Sequence, residues 1–265
     1  MTIFHAIVLG IVQGVTEFLP ISSSGFLILI PEFLGWEVQS LAFDAFLHIA
    51  TLTAVIAALW PEVKAMVGAF FVPVKDQANL AWRRLALWIL YATIPVMGIG
   101  FFVQNVLEFE FRSSKVVAWS FIVWGIVLYI ADRRAKVSSV PTQEIGLKRA
   151  LLIGCAQVVA LIPGTSRSGI TITAGLMSGL SRETAARFSF LLAIPTIAAA
   201  GFLKLGTVAS GEETIAVLPL IVGFSVACVS AFLTLRFLLV FLKRYSFSEF
   251  AIFRVVVGIV ILLLS

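Results

Sequence analysis

A knot of proline, serine and glycine interrupts an apolar stretch twice in this chain, at one constant spacing of 144 residues. The first copy reads GIVQGVTEFLPISSSG from Gly10 to Gly25. The second reads GCAQVVALIPGTSRSG from Gly154 to Gly169. Gly, Gln, Val, two Ser and a closing Gly coincide between them. Upstream, Ala6 pairs with Ala150; downstream, Ile28 pairs with Ile172 and Gly35 with Gly179. Phe43 and Thr51 then answer Phe188 and Thr196, so the second unit runs one residue longer. Polar, irregular backbone is costly in hydrocarbon unless it is buried in protein or lines a site. Two copies predict two halves that meet at one site.

Composition sets the solvent. The 265 residues are 60% hydrophobic and 12% charged, with mean hydropathy +1.08. A soluble domain carries about 25% charged residues, so the chain reads as an integral membrane protein. Its apolar runs have helical length and lack the alternation of a barrel. The net charge of +5 calls for no nucleic-acid partner, because excess Lys and Arg in a membrane protein marks cytoplasmic loops. Cys155 and Cys228 lie in apolar segments and form neither a disulfide framework nor a metal-ligand spacing. Gln13 and Glu17 inside the first apolar stretch, with no basic residues before it, argue against a cleavable signal peptide.

Six segments read as membrane spans: about 41–60, 85–104, 115–131, 184–204, 215–241 and 249–265. The segments 2–38 and 149–182 hold the repeated motif and read as helical hairpins or broken helices. Loops 61–84, 132–149 and 242–248 carry the bases Lys64, Lys75, Arg83, Arg84, Arg133, Arg134, Lys136, Lys148, Arg149, Lys243 and Arg244. Loop 105–114 carries Glu108 and Glu110 against Arg112, and loop 205–214 carries Glu212 and Glu213. The basic loops are expected on the cytoplasmic side and the acidic ones outside. If each motif segment enters and returns on one side, the first enters from outside and the second from the cytoplasm. The expected fold is an all-α polytopic membrane protein in one membrane domain. Inverted repeats of about 1–131 and 149–265, each with a broken hairpin and about three spans, are joined by cytoplasmic loop 132–148.

Chemistry concentrates at the breaks. Glu17 is an acid in an apolar segment, and its repeat partner is Leu161, so the fold itself does not require a carboxylate there. It reads as an acid/base group or a metal ligand. Gln13 lies one helical turn earlier and can orient it, although the repeated Gln157 fits a shared structural role as well. Ser22, Ser23, Ser24 and Gly25 form a hydroxyl-rich turn that can cradle an anion at a helix start or simply cap that helix. With Glu17 six residues before it, Ser23 reads as a nucleophile. Arg167 occupies the position equivalent to Ser23, among Thr165, Ser166, Ser168 and Gly169, which read, with Gln13 and the first turn's Ser22, Ser24 and Gly25, as phosphate-binding residues. Its planar fork suits two phosphate oxygens at once. Asp44 and His48, four residues apart, share a helix face and read as a proton relay or a core pair. Arg182, Glu183 and Arg187 read as an interfacial charge cluster.

The stretch from Gln13 to Gly25 resembles the first signature of the undecaprenyl-diphosphate phosphatase family, also called the bacitracin-resistance family. Pro163 to Gly169 resembles its second, and the closing SFxxFAIxR at 246–254 extends the likeness over the whole length. The resemblance implies hydrolysis of undecaprenyl diphosphate in the bacterial cytoplasmic membrane, to the monophosphate and phosphate, with Mg or Ca as divalent cation. It implies Ser23 as nucleophile, Glu17 as activating or metal-binding carboxylate and Arg167 as phosphate clamp. One position departs: the family commonly has His after the first motif's Gly, and here stands Phe26. Either Glu17 suffices, or His48 substitutes, or the chain is a divergent paralogue acting on another lipid phosphate. A polyprenyl-phosphate transporter or flippase is the alternative from a different class.

Overall fold

The computed structural model describes residues 1–72, 77–103, 113–135, 140–209 and 217–264, and over these it is helical, without strands. Lys75, Glu108, Glu110, Arg112, Lys136, Glu212 and Glu213, used above for orientation, lie outside the described residues. The helices run α1 (Ile3–Thr16), α2 (Ser23–Leu34), α3 (Leu41–Ala58), α4 (Trp60–Gly68), α5 (Gln77–Phe102) and α6 (Ser114–Arg133). Then follow α7 (Leu147–Gln157), α8 (Arg167–Met177), α9 (Arg182–Ala209), α10 (Val217–Phe241) and α11 (Ser248–Leu264).

Five helices, α3, α5, α6, α9 and α10, are long and apolar enough to cross a membrane. The sixth expected span, α11, has 17 residues, about 25 Å of helix, at the lower end of the length that crosses a bilayer. Loop 61–84 is revised. Its first part is α4, started by Pro61 in the first turn with Glu62 beside it, where a missing N–H and a negative charge are both favourable. Arg83 and Arg84 belong to α5, which begins eight residues earlier than the apolar run, because Gln, Ala, Leu and Arg are good helix formers whether or not they face lipid.

Both motif segments are pairs of short helices interrupted at the Pro/Ser break. α1 ends at Thr16 and α2 starts at Ser23; α7 ends at Gln157, a 3-10 turn covers Val158–Leu161, and α8 starts at Arg167. Ser22 (φ 80°) and Ser166 (φ 72°) are the non-glycine residues with positive φ among those described. Each caps the following helix by accepting from the N–H of Gly25 or Gly169, and each hydroxyl also meets the next-but-one serine, at 3.3 and 3.1 Å. Such backbone costs about 1–3 kcal/mol per residue and persists only where the surroundings enforce it.

Each unit's first helix packs on a span of the other unit. A Cβ on Gly10 of α1 would stand 2.8 Å from the Gly223 carbonyl of α10, and one on Gly154 of α7 would stand 2.2 Å from the Ala92 carbonyl of α5. Small residues allow this approach, as in membrane helix pairs generally. Because Ala92 offers backbone, which cannot swing aside, Gly154→Ala is expected to destabilise the protein by about 1–3 kcal/mol. Thermal unfolding in detergent checks this.

Leu90, Ile94, Val229, Leu233 and Phe237 on α5 and α10 are exposed, as expected where lipid replaces protein neighbours. At the other end of the charge scale, buried Asp132 at the end of α6 accepts from Arg182 Nε at 2.6 Å and from Ser248 at 3.0 Å. Arg187 pairs with Glu183 at 3.1 Å and with Glu62. The expected charge cluster is thus a set of ion pairs that ties α4, α6 and α9 together, with the Ser248 hydroxyl joining α11 to it.

Candidate active site

α1 delivers Gln13 and Glu17 on one face. Glu17 is the residue after the last helical turn, its N–H still bonded to the Gln13 carbonyl. The break that follows turns the chain so that α2 starts with Ser23, and Ser23 Oγ donates to Glu17 Oε2 at 2.6 Å. From the other unit, 150 residues away, Arg167 donates through Nη2 to Glu17 Oε1 at 2.8 Å. Each oxygen of the one buried carboxylate therefore serves a different motif. Arg167 also donates through Nη1 to the Ser189 carbonyl of α9 at 3.3 Å and lies over the Phe18 ring. Two of its five N–H groups are thus used among the described residues, which leaves donors for an anion.

Gln13 organises the other side. A carboxylate only accepts, so the amide nitrogen must face Glu17, and Nε2 donates to Oε2 at 2.8 Å. The same nitrogen contacts His48 Nδ1. As Nε2 has no lone pair to offer, Nδ1 accepts, and the ring proton sits on the far nitrogen. His48 Nδ1 is 3.9 Å from Glu17 Oε2. Asp44, one turn before His48, accepts from Gln39 Nε2 at 3.0 Å. Asp44 and His48 both line a cavity of about 550 Å³, with Ser24 and Gln39 as further polar walls and Leu27, Ile28, Leu161 and Pro163 as apolar ones. The expected pair therefore lines a cavity beside the site, and His48 reaches from it to Gln13.

The remaining hydroxyls divide. Ser24 is exposed to the cavity. Ser22, Thr165, Ser166 and Ser168 are buried. Ser168 Oγ donates to the Leu19 carbonyl at 3.0 Å and so ties the second motif to the first. The two closing glycines have packing reasons: a Cβ on Gly25 would meet the Phe121 ring at 2.6 Å, and one on Gly169 would meet an Arg254 nitrogen at 2.8 Å. Phe26, at the departure position, packs its ring on Phe121 and Phe253, with centroids 5.6 and 6.2 Å away. The imidazole near Glu17 comes from α3 instead.

Among the described residues, no group of three or more His, Cys, Asp or Glu is placed to hold a metal ion. Gln13 Oε1, however, is buried beside Glu17 with no hydrogen-bond partner. A cation that brings phosphate oxygens of its own needs only one or two protein oxygens, and this pair fits that need. Sequence reasoning missed Gln39, Ser189 and Arg254. For Gln39 and Ser189 no local signal exists; the signal for Arg254 is a cation five residues inside the last apolar segment.

The profile of the family described as bacitracin resistance protein BacA matches residues 6–260. Relatives named undecaprenyl-diphosphatase include one from Alteromonas mediterranea, 44% identical over 99% of this chain and 98% of its own length. One from Stutzerimonas stutzeri, named undecaprenyl-diphosphatase 2, is 42% identical over 100% and 98%. One from Pseudoalteromonas translucida, named undecaprenyl-diphosphatase 1, is 41% identical over 98% and 97%. A full-length match of this kind, joined to motifs that meet at one carboxylate, means that the chain belongs to the BacA bacitracin resistance family.

Proposed function

We propose that this multi-pass membrane protein hydrolyses undecaprenyl diphosphate to undecaprenyl phosphate and inorganic phosphate in the bacterial inner membrane, and so recycles the lipid carrier of cell-wall synthesis. The observation that carries the reading is the meeting of Ser23, Glu17 and Arg167, a nucleophile, a base and a phosphate clamp drawn from two distant motifs. The substrate itself is taken from the names of the full-length relatives.

The chemistry follows from the contacts. Ser23 Oγ attacks the terminal phosphorus while Glu17 Oε2 takes its proton. The bond from that phosphorus to the bridging oxygen breaks, and the lipid monophosphate leaves. Once Glu17 has passed that proton to the departing monophosphate, it takes one from the water that attacks the seryl phosphate; the P–Oγ bond breaks, inorganic phosphate leaves, and Glu17 returns the proton to Ser23. Arg167 turns its remaining donors to the equatorial oxygens, where charge gathers. Gln13 holds Glu17 and His48 in register, and His48, rather than a residue at position 26, links the site to the cavity. Glu17 and Gln13 Oε1 would hold a divalent cation, Mg or Ca, together with the diphosphate; the ion supplies charge neutralisation.

Orientation and repeat symmetry belong to the same proposal. The cavity lies against the α2–α3 connection, the side that the loop charges assign to the outside. The matched serine turns and the exchange of α1 and α7 between units support the inverted arrangement. The test is release of inorganic phosphate from a C55 diphosphate by the purified protein in detergent. Turnover dependent on added Mg or Ca is expected. Transfer of intact lipid phosphate across a bilayer with no phosphate release would replace the enzyme by a carrier.

A further inference from the structure

Arg254 is the largest fully buried side chain among the described residues, with 0% of its surface exposed. It stands on α11, in an apolar helix otherwise suited to lipid. Among the described residues no carboxylate is within ion-pair distance of it. Instead it donates to four backbone carbonyls: Nη1 to Pro20 at 3.2 Å, and Nη2 to Ser120 at 3.2 Å, Gly164 at 2.9 Å and Thr165 at 2.9 Å. Pro20 belongs to the first break, three residues before Ser23. Gly164 and Thr165 belong to the second, just before Arg167. Its guanidinium also lies over the Phe121 ring, 5.6 Å from the centroid. A buried cation held by carbonyl dipoles and one ring, with no carboxylate, is an expensive device for stability, since an apolar side chain of equal volume packs at no such cost.

We infer that Arg254 is a positioning residue for phosphoryl transfer, a guanidinium pin that sets the spacing of the two breaks so that Ser23 and Arg167 face one phosphate. The geometry requires a fork. The two nitrogens reach opposite breaks at once, which one ammonium on a flexible stem cannot do. The pin also explains Gly169: its missing Cβ leaves the space that an Arg254 nitrogen occupies, 2.8 Å away. The buried but unbonded Nε shows that the side chain is placed for its terminal nitrogens. The inference deepens the phosphatase reading and rests on it.

The test compares purified wild type, Arg254→Lys and Arg254→Gln for thermal unfolding, kcat and KM on C55 diphosphate. The pin predicts that folded Arg254→Lys loses roughly thirty- to a hundredfold in kcat with KM changed less than about threefold, because binding survives while alignment does not. A double-mutant comparison separates positioning from mere support. In an Arg167→Lys background the further loss from Arg254→Lys should shrink to less than about threefold, since the clamp it aligns is already weakened. An equal loss in both backgrounds, or a loss that merely tracks the folded fraction, would overturn the inference. Should both Arg254 variants fail to fold, Gly169→Ala displaces the guanidinium without deleting it; its Cβ also stands 3.1 Å from Ser166, so kcat is read on protein shown folded by thermal unfolding. A tenfold fall in kcat is then expected, and unchanged kcat overturns the inference. Absent phosphate release by wild type would instead remove the phosphatase reading itself.

Discussion

Ser23→Ala is expected to abolish phosphate release while the protein still folds and inserts. The hydroxyl donates to Glu17 Oε2 at 2.6 Å, which is the contact a serine needs to lose its proton as it attacks phosphorus. Folding should survive, because Glu17 keeps its donors from Gln13 and Arg167 and the lost group is small and part-exposed. Removal of a nucleophile usually costs several powers of ten in turnover. Phosphate release is measured on folded protein, checked by thermal unfolding. Retention of more than about a tenth of wild-type turnover would place the nucleophile elsewhere, with Ser24 at the cavity wall as the neighbour to examine.

Arg167→Lys is expected not to rescue Arg167→Ala. In the resting site Arg167 neutralises a buried carboxylate. Alanine leaves that charge alone, which costs about 3–5 kcal/mol of stability. Lysine restores the charge and most of the stability. What it cannot restore is the pair of parallel hydrogen bonds to two phosphate oxygens. Those bonds strengthen as charge builds in the transition state, so their loss should remove about 3 kcal/mol, roughly a hundredfold, chiefly from kcat. The three variants are compared by thermal unfolding and by steady-state turnover. Near-normal hydrolysis by the Lys variant would sink the bidentate role, and absence of hydrolysis in wild type would favour the carrier.

The two tests probe features of different visibility. Glu17, Ser23 and Arg167 were legible because an acid, a hydroxyl turn and a cation in apolar sequence each need a reason, and because the repeat set Ser23 against Arg167. His48 was visible only as a helix neighbour of Asp44. Its contact with Gln13 spans 35 residues and depends on how α3 crosses α1. Thr165, Ser166 and Ser168 read as phosphate-binding residues; all three are buried, and Ser166 and Ser168 also support the turns. Spacing alone does not say whether a hydroxyl faces a ligand or its own backbone.

The sequence by itself determined that the chain lives in a membrane, that its polar residues cluster in two equivalent breaks, and that those breaks hold an acid, hydroxyls and a cation in apolar surroundings. Each conclusion follows from transfer free energy or from residue type at a given spacing, which are local properties. Only the tertiary structure decided that one carboxylate is shared between the breaks, that α11 reaches back with Arg254 to hold both, and that Phe26 retires to a core of rings while α3 supplies the imidazole. These depend on the close approach of helices distant in the chain. Such approach is set by where glycine lets two backbones touch, as at Gly10 and Gly154, and by the positive φ of Ser22 and Ser166, a conformation that serine adopts only when the packed surroundings enforce it.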